Sequence, residues 1–300
     1  MAKARLTGQQ IGPFILQEVH GAGGVAEVYK AVHIDDEGPV AVKVLRPELV
    51  GDKERERSIN LEADLLAELK HVSIPALRRR GTIDGRLATV MQFFTGETLK
   101  QLLEGKQRFD RIGAVLALVN VVAYLHEAGV IHNDLKLENV ILRPQGKLGL
   151  VDFGNIRRLG GKRGLFGRLW GRGRPVFGTA SYLAPELITG GQPSLATDVY
   201  ALGVCMHFLF SGTGHFNDTR QTKRLNRMVK EDAPSIAGKV RGLPAAIAKV
   251  VDQCLVRDPA LRPADAIELK ALIKHAIGTP LPERARALAQ RLDAVHQPSG

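Results

Sequence analysis

Residues 132–139 read HNDLKLEN and set a histidine, two amides, two carboxylates and a lysine within eight positions. Runs of this kind are usually solvated turns, but the spacing here suits one reaction. Phosphoryl transfer needs a carboxylate to orient the attacking hydroxyl and take its proton. It also needs a cation on the departing γ-phosphate and oxygen ligands for magnesium. Asp134, Lys136 and Asn139 are those residue types in that order. A second magnesium ligand should follow, and Asp152 in VDFG (151–154) does so behind the apolar run LGLV. Upstream lies GAGGVAEVYKA (21–31), whose Gly21, Gly23 and Gly24 carry no side chains to keep backbone N–H groups away from phosphates. That signal alone is weak, because glycine-rich hairpins are common. Twelve residues after it, VAVK presents Lys43 among apolar neighbours, where a lysine is costly to bury without a counter-charge. Glu62 can supply one.

These residues need elements to carry them. FILQEVH (14–20), AEVYKAVH (26–33), VAVKVL (40–45) and LATVMQFF (87–94) alternate as strands do. Residues 53–70 switch to helical spacing, with Ile59, Leu61, Leu65, Leu66 and Leu69 predicted on one face. TGETL (95–99) reads as a hinge. Helices are predicted after it at 110–128, 196–211, 219–230, 243–256 and 264–277, and an amphipathic helix at 281–296. The loop-rich stretch 129–195 holds most of the unusual chemistry. The predicted class is α+β, a small β-rich lobe and a larger helical one. The division is 1–10 as an extension, 11–94 and 95–277 as the lobes, and 278–300 as a helical extension.

Bulk properties narrow the classes. The 300 residues are 44% apolar, ample for a core, and two cysteines are too few for a disulfide framework. No apolar run follows Lys3 and Arg5, so no signal peptide is expected. The longest apolar stretch, 112–125, is shorter than the roughly 20 residues that span a bilayer and contains Asn120. These features predict a cytoplasmic protein. A net charge of +11 favours acidic substrates, phosphates, nucleic acid or anionic membrane without choosing among them.

Taken in order, the motifs resemble those of eukaryotic-type (Hanks-type) protein kinases, in particular the bacterial Ser/Thr kinases, over roughly residues 11–275. GTASYLAPE (178–186) resembles the end of the family's activation segment. Asp198 matches the aspartate that holds the catalytic-loop backbone, and Arg262 the arginine that pairs with Glu186. The resemblance implies a bilobal fold with ATP bound between lobes, and a protein serine/threonine kinase using ATP and Mg2+, with Mn2+ as an alternative metal. It assigns Lys43 to the α- and β-phosphates in a pair with Glu62. Asp134 is then the catalytic base, Lys136 steadies the γ-phosphate, and Asn139 and Asp152 hold the metal. Val28, Ala41 and Ile141 sandwich the adenine, Met91 guards the back of its pocket, and Gln92–Phe94 offer backbone hydrogen bonds. Lys136 and Thr179 resemble the Ser/Thr branch.

Three departures stand out. Ala26 replaces the third loop glycine, which is expected to affect nucleotide affinity. Asn133 replaces the arginine that receives an activation-loop phosphate in the family, and residues 155–177 contain no Ser, Thr or Tyr. Receptor and acceptor are missing together, which implies activity without that switch. Residues 157–174 also carry seven basic residues and no acid: Arg157, Arg158, Lys162, Arg163, Arg168, Arg172 and Arg174. Two readings stand, a solvated loop or a docking element for an anionic partner such as an acidic protein substrate. Arg220, Lys223, Arg224, Arg227 and Lys230 form a second basic stripe, most simply an exposed helix face. A pseudokinase scaffold is the competing function, opposed by the presence of Lys43, Asp134, Asn139 and Asp152. A small-molecule phosphotransferase would not need GTASYLAPE, Asp198 and Arg262.

Overall fold

The computed structural model describes residues 6–35, 38–160 and 179–278. They fall into two compact units: unit 1 runs to Gly96 and includes Gly149–Gly154, and unit 2 comprises Glu97–Leu148 and the residues from Asn155 on. Unit 1 is β-rich and unit 2 helical, the α+β division that the sequence predicts.

Unit 1 is built on an antiparallel sheet of β1 (Gln10–Ile11), β2 (Phe14–Ala22), β3 (Ala26–His33), β4 (Pro39–Leu45), β5 (Leu77–Ile83) and β6 (Arg86–Gln92), ordered β1-β2-β3-β4-β6-β5. Period-two alternation sorts β4. Val40, Val42 and Val44 join Leu16, Tyr29, Ala31 and Val90 in one core cluster. The opposite face carries Ala41, Lys43 and Leu45, and Leu45 packs with Ala26 and Ile59. Ile59 belongs to α1 (Lys53–Glu68), so the strand pattern delivers Lys43 to the face that this helix covers. Asp52 caps α1 by accepting from the Glu54 and Arg55 N–H groups. The helix buries Ser58, Ile59, Glu62, Ala63, Leu65 and Leu66.

Leu61 departs from the predicted face: it is 38% exposed. It lies about 200° around the helix from Ile59, at 100° per residue, and the buried face continues through Glu62 instead. β5 is not evident in the sequence because LRRRGTI places three arginines where alternation is expected. Its position at the sheet edge leaves those side chains in solvent.

Unit 2 begins with β7 (Glu97–Thr98) and α2 (Leu99–Glu104), where the sequence suggested only a hinge; Thr98 and Gln101 close a capping box that starts the helix. α3 (Arg111–Glu127) is apolar almost all round and is buried, packing against α5 (Leu195–Ser211) and α8 (Ala266–Ala276). Near-complete burial of Leu118 and Leu125 stabilises by about 1.5–3 kcal/mol each. α4 (Pro185–Ile188), α6 (Gln221–Lys230) and α7 (Ala245–Cys254) complete the described helices. Short strands flank the HNDLKLEN loop: β8 (Val130–Ile131) pairs with β11 (Arg157–Arg158), and β9 (Val140–Leu142) pairs with β7. Among the described residues no helix is long and apolar enough to cross a membrane.

Candidate active site

Unit 1 gathers one cation and two carboxylates. Lys43 Nζ donates to Glu62 Oε1 and Oε2 at 2.9 and 2.8 Å and to Asp152 Oδ1 at 3.0 Å. Glu62 is 3% exposed, and the Phe153 N–H donates to its Oε1 at 3.3 Å. Burial alone lowers an ammonium, but Asp152 and Glu62 more than reverse this and hold Lys43 protonated, above the usual lysine range. Burial likewise pushes the Glu62 carboxyl up, against the pull of Lys43. Both Glu62 oxygens accept from the Lys43 ammonium and Oε1 also accepts from the Phe153 N–H, the environment of an ionised carboxylate. Asp152 takes a left-handed backbone, φ 64°, which aspartate tolerates better than most residues. A Cβ on Gly154 would sit 3.3 Å from Lys43 Nζ and 3.4 Å from Asp152 Oδ1, so glycine keeps this cluster uncrowded.

The glycine-rich hairpin joins β2 to β3. A Cβ at Gly21 or Gly24 would meet nothing within 4 Å, and neither residue has positive φ. Neither packing nor conformation within the protein therefore demands glycine there, which fits the approach of an outside group such as phosphate. Ala41 pairs across the sheet with Met91, and both are buried. Val28 pairs with Lys43. The Gln92 N–H is engaged with the Ala76 carbonyl at 2.9 Å.

In unit 2 the HNDLKLEN loop hangs on Asp198, a residue of α5 that is 1% exposed. Its Oδ2 accepts from the His132 N–H at 2.7 Å and its Oδ1 from the Asn133 N–H at 2.8 Å. His126 Nε2 lies 3.2 Å from Oδ2, while its Nδ1 accepts from the Ala266 N–H, which fixes the proton on Nε2. Leu135 and Leu137 are buried and pin the loop from its apolar side. The polar residues are thereby held in place. Lys136 Nζ donates to Asp134 Oδ2 at 2.8 Å, and Asn139 Nδ2 donates to the Asp134 carbonyl at 2.9 Å. That bond orients the amide, its nitrogen towards the Asp134 carbonyl. Ile141 is buried on β9.

Asn133 has φ 61°, and its Nδ2 donates to the Asn155 carbonyl at 3.3 Å. Arg262 grips Glu186 through two contacts of 2.8 Å and stacks over Tyr200 at 4.8 Å. The Tyr182 hydroxyl accepts from the Leu137 N–H at 3.5 Å, and burial pushes that phenol well above its ordinary range. His126 and Tyr182 were not singled out in the sequence; a lone histidine on an apolar helix was the only signal for the first. Lys162, Arg163, Arg168, Arg172 and Arg174 lie outside the described residues, as does 281–296.

The family model described as the protein kinase domain matches residues 14–277. The chain belongs to the protein kinase family. Kinases of this family are phosphotransferases that use ATP with a divalent metal. The chain is 30% identical over 289 residues to the serine/threonine-protein kinase PknL of Mycobacterium tuberculosis, covering 95% of this chain and 70% of that protein. It is 32% identical over 276 residues to PkaB of Streptomyces coelicolor, covering 88% and 63% respectively. With PknB of Mycobacterium tuberculosis it shares 30% over 295 residues, 95% of this chain and 46% of that protein. The kinase is thus similar to bacterial Hanks-type kinases, two of which extend well beyond the matched length.

The kinase's donor set suits the metal. Among the described residues no group of three or more His, Cys, Asp or Glu could hold an ion alone. Magnesium keeps several waters and takes one or two protein oxygens plus substrate phosphates. The Asp152 carboxylate, 44% exposed at its side chain, and the Asn139 amide oxygen are hard donors of that kind.

Proposed function

We propose that this kinase transfers the γ-phosphate of Mg-ATP to serine and threonine hydroxyls of proteins, and that it acts in the cytoplasm. The observation that carries the reading is the Asp134–Lys136–Asn139 arrangement, with a 2.8 Å lysine–carboxylate contact and an amide tied to the Asp134 carbonyl. Asp134 orients the attacking hydroxyl and accepts its proton as the new O–P bond forms, while the bond from the γ-phosphorus to the bridging oxygen breaks and ADP leaves with that electron pair. Lys136 carries charge on the γ-phosphate oxygens, and Lys43, protonated and fixed by Glu62, does so for the α- and β-phosphates. Asp152 and Asn139 would hold magnesium, which when bound would offset phosphate charge; Mn2+ would satisfy the same oxygens. Gly21, Gly23 and Gly24 admit the phosphates, and Val28, Ala41, Met91, Gln92, Phe94 and Ile141 receive the adenine. The lobes are residues 11–94 and 95–277. Activity does not depend on activation-loop phosphorylation, because Asn133 and the hydroxyl-free stretch 155–177 leave neither receptor nor acceptor. The basic stretch 157–174 favours acidic protein substrates.

The test is γ-labelled ATP and magnesium with a degenerate Ser/Thr peptide library. Asp134→Asn should cut kcat by about 10²–10⁴-fold, the range of a general base, while sparing nucleotide binding. Asp152→Asn should weaken metal-dependent nucleotide binding itself. Equal labelling by wild type and Asp134→Asn would remove the assignment of the base. No labelling by wild type with any substrate, despite nucleotide binding, would favour a pseudokinase scaffold.

A further inference from the structure

Ser58 lies four residues before Glu62 in α1, which places both side chains on one helix face. It is 8% exposed. A serine inside a helix ordinarily returns its hydroxyl to a carbonyl of its own preceding turn. Ser58 instead donates outward to the Gly154 carbonyl at 3.2 Å. One residue earlier in that segment, the Phe153 N–H donates back to Glu62 Oε1 at 3.3 Å. Helix and segment therefore exchange hydrogen bonds in both senses, one turn apart. A single contact at Glu62 would leave α1 free to roll about it. The second contact removes that freedom, and Lys43 meets Glu62 at 2.8 Å and Asp152 at 3.0 Å.

We propose that Ser58 is a positioning residue, whose hydroxyl seats α1 on the Asp152–Gly154 backbone so that Glu62 holds Lys43. The inference rests on the kinase reading above, and it supplies what the loop lacking hydroxyls does not. Were Ser58 only filling space, alanine would serve nearly as well, since the pair Lys43–Glu62 does not touch the hydroxyl.

The experiment compares full-length wild type, Ser58→Ala and Ser58→Thr by steady-state peptide phosphorylation and by hydrogen exchange of peptides spanning 150–156. Ser58→Ala is expected to lower kcat about five- to tenfold, the scale of one lost hydrogen bond. KM for ATP should change less than twofold, and the Phe153 amide should exchange about fivefold faster. Ser58→Thr, which keeps the donor, should restore both. Wild-type kcat and exchange in Ser58→Ala, or equal loss in Ser58→Thr, would overturn the proposal. If Ser58→Ala does not fold, the near-isosteric weak donor in Ser58→Cys takes its place under the same criteria. Should wild type transfer no phosphate, the kinase reading fails, while the exchange data still decide the role of Ser58.

Discussion

Asn133 occupies a position that two backbone constraints define. Its N–H is held by Asp198 Oδ1 at 2.8 Å and its φ is 61°. Left-handed backbone costs an ordinary L-residue about 1–2 kcal/mol, and asparagine is among the few side chains that visit it readily. The residue therefore relieves strain at the cost of the family's phosphate-binding arginine. Its own amide reaches the Asn155 carbonyl, a neutral contact at the start of the stretch lacking hydroxyls. Phosphatase-treated protein should accordingly keep its full rate, and Asn133→Gly, which suits the same φ, should remain folded and active. A large loss of rate on dephosphorylation, mapped by mass spectrometry to Thr179, Ser181 or Tyr182, would contradict this.

At the scale of elements, α5 and the turn after it contain a buried polar cluster that the catalytic set does not use. The helix ends at Gly212, φ 76°, and the chain folds back to place His215 Nε2 2.8 Å from the Tyr200 hydroxyl. Burial, with His207 and Arg224 adding to it, pushes His215 down to about 3. The same cause lowers His207. In the unfolded chain each returns to the ordinary value near 6.5 and binds a proton in mild acid. The contribution to stability is thus fully present above pH ~6.5 and is lost as pH falls towards 3, by at most ~1.4 kcal/mol per unit for one group. Thermal unfolding between pH 7 and 4 should show this loss in wild type. His215→Phe should flatten the profile, even if its midpoint at pH 7 is lower. An unchanged slope would mean that His215 is not the group responsible.

The whole molecule carries a net charge of +11, to which the stretch 157–174 contributes seven cations without an acid. Like charges so close repel, and at physiological salt the screening length is only about 8 Å. On the reading proposed above, an acidic substrate would relieve that repulsion. Replacing Arg163, Arg168, Arg172 and Arg174 with serine should raise KM for acidic peptides several-fold at low salt. The difference should shrink as salt rises, with ATP affinity unchanged. A quadruple variant that matches wild type on acidic and neutral peptides alike would reduce the stretch to solvated charge.

The order of HNDLKLEN, VDFG and VAVK made the resemblance to protein kinases legible in the sequence, because residue types at short separations along the chain can be read without reference to packing. Alternation in β4 and helical spacing in α1 likewise made Lys43 and Glu62 legible as a pair. Tertiary structure decided what periodicity could not. Leu61 faces solvent because the buried face of α1 is shared with polar Ser58 and Glu62, whose burial depends on partners far along the chain. β5 is a strand through pairing with β6, which no pattern in LRRRGTI announces. His126 acquires its place from Asp198 and Ala266, 72 and 140 residues away. The hydroxyl of Ser58 and the left-handed backbone of Asn133 have meaning only beside the Gly154 carbonyl and the Asp198 carboxylate. Local spacing encodes which groups are present, whereas hydrogen bonds between distant segments determine which of them are held in place.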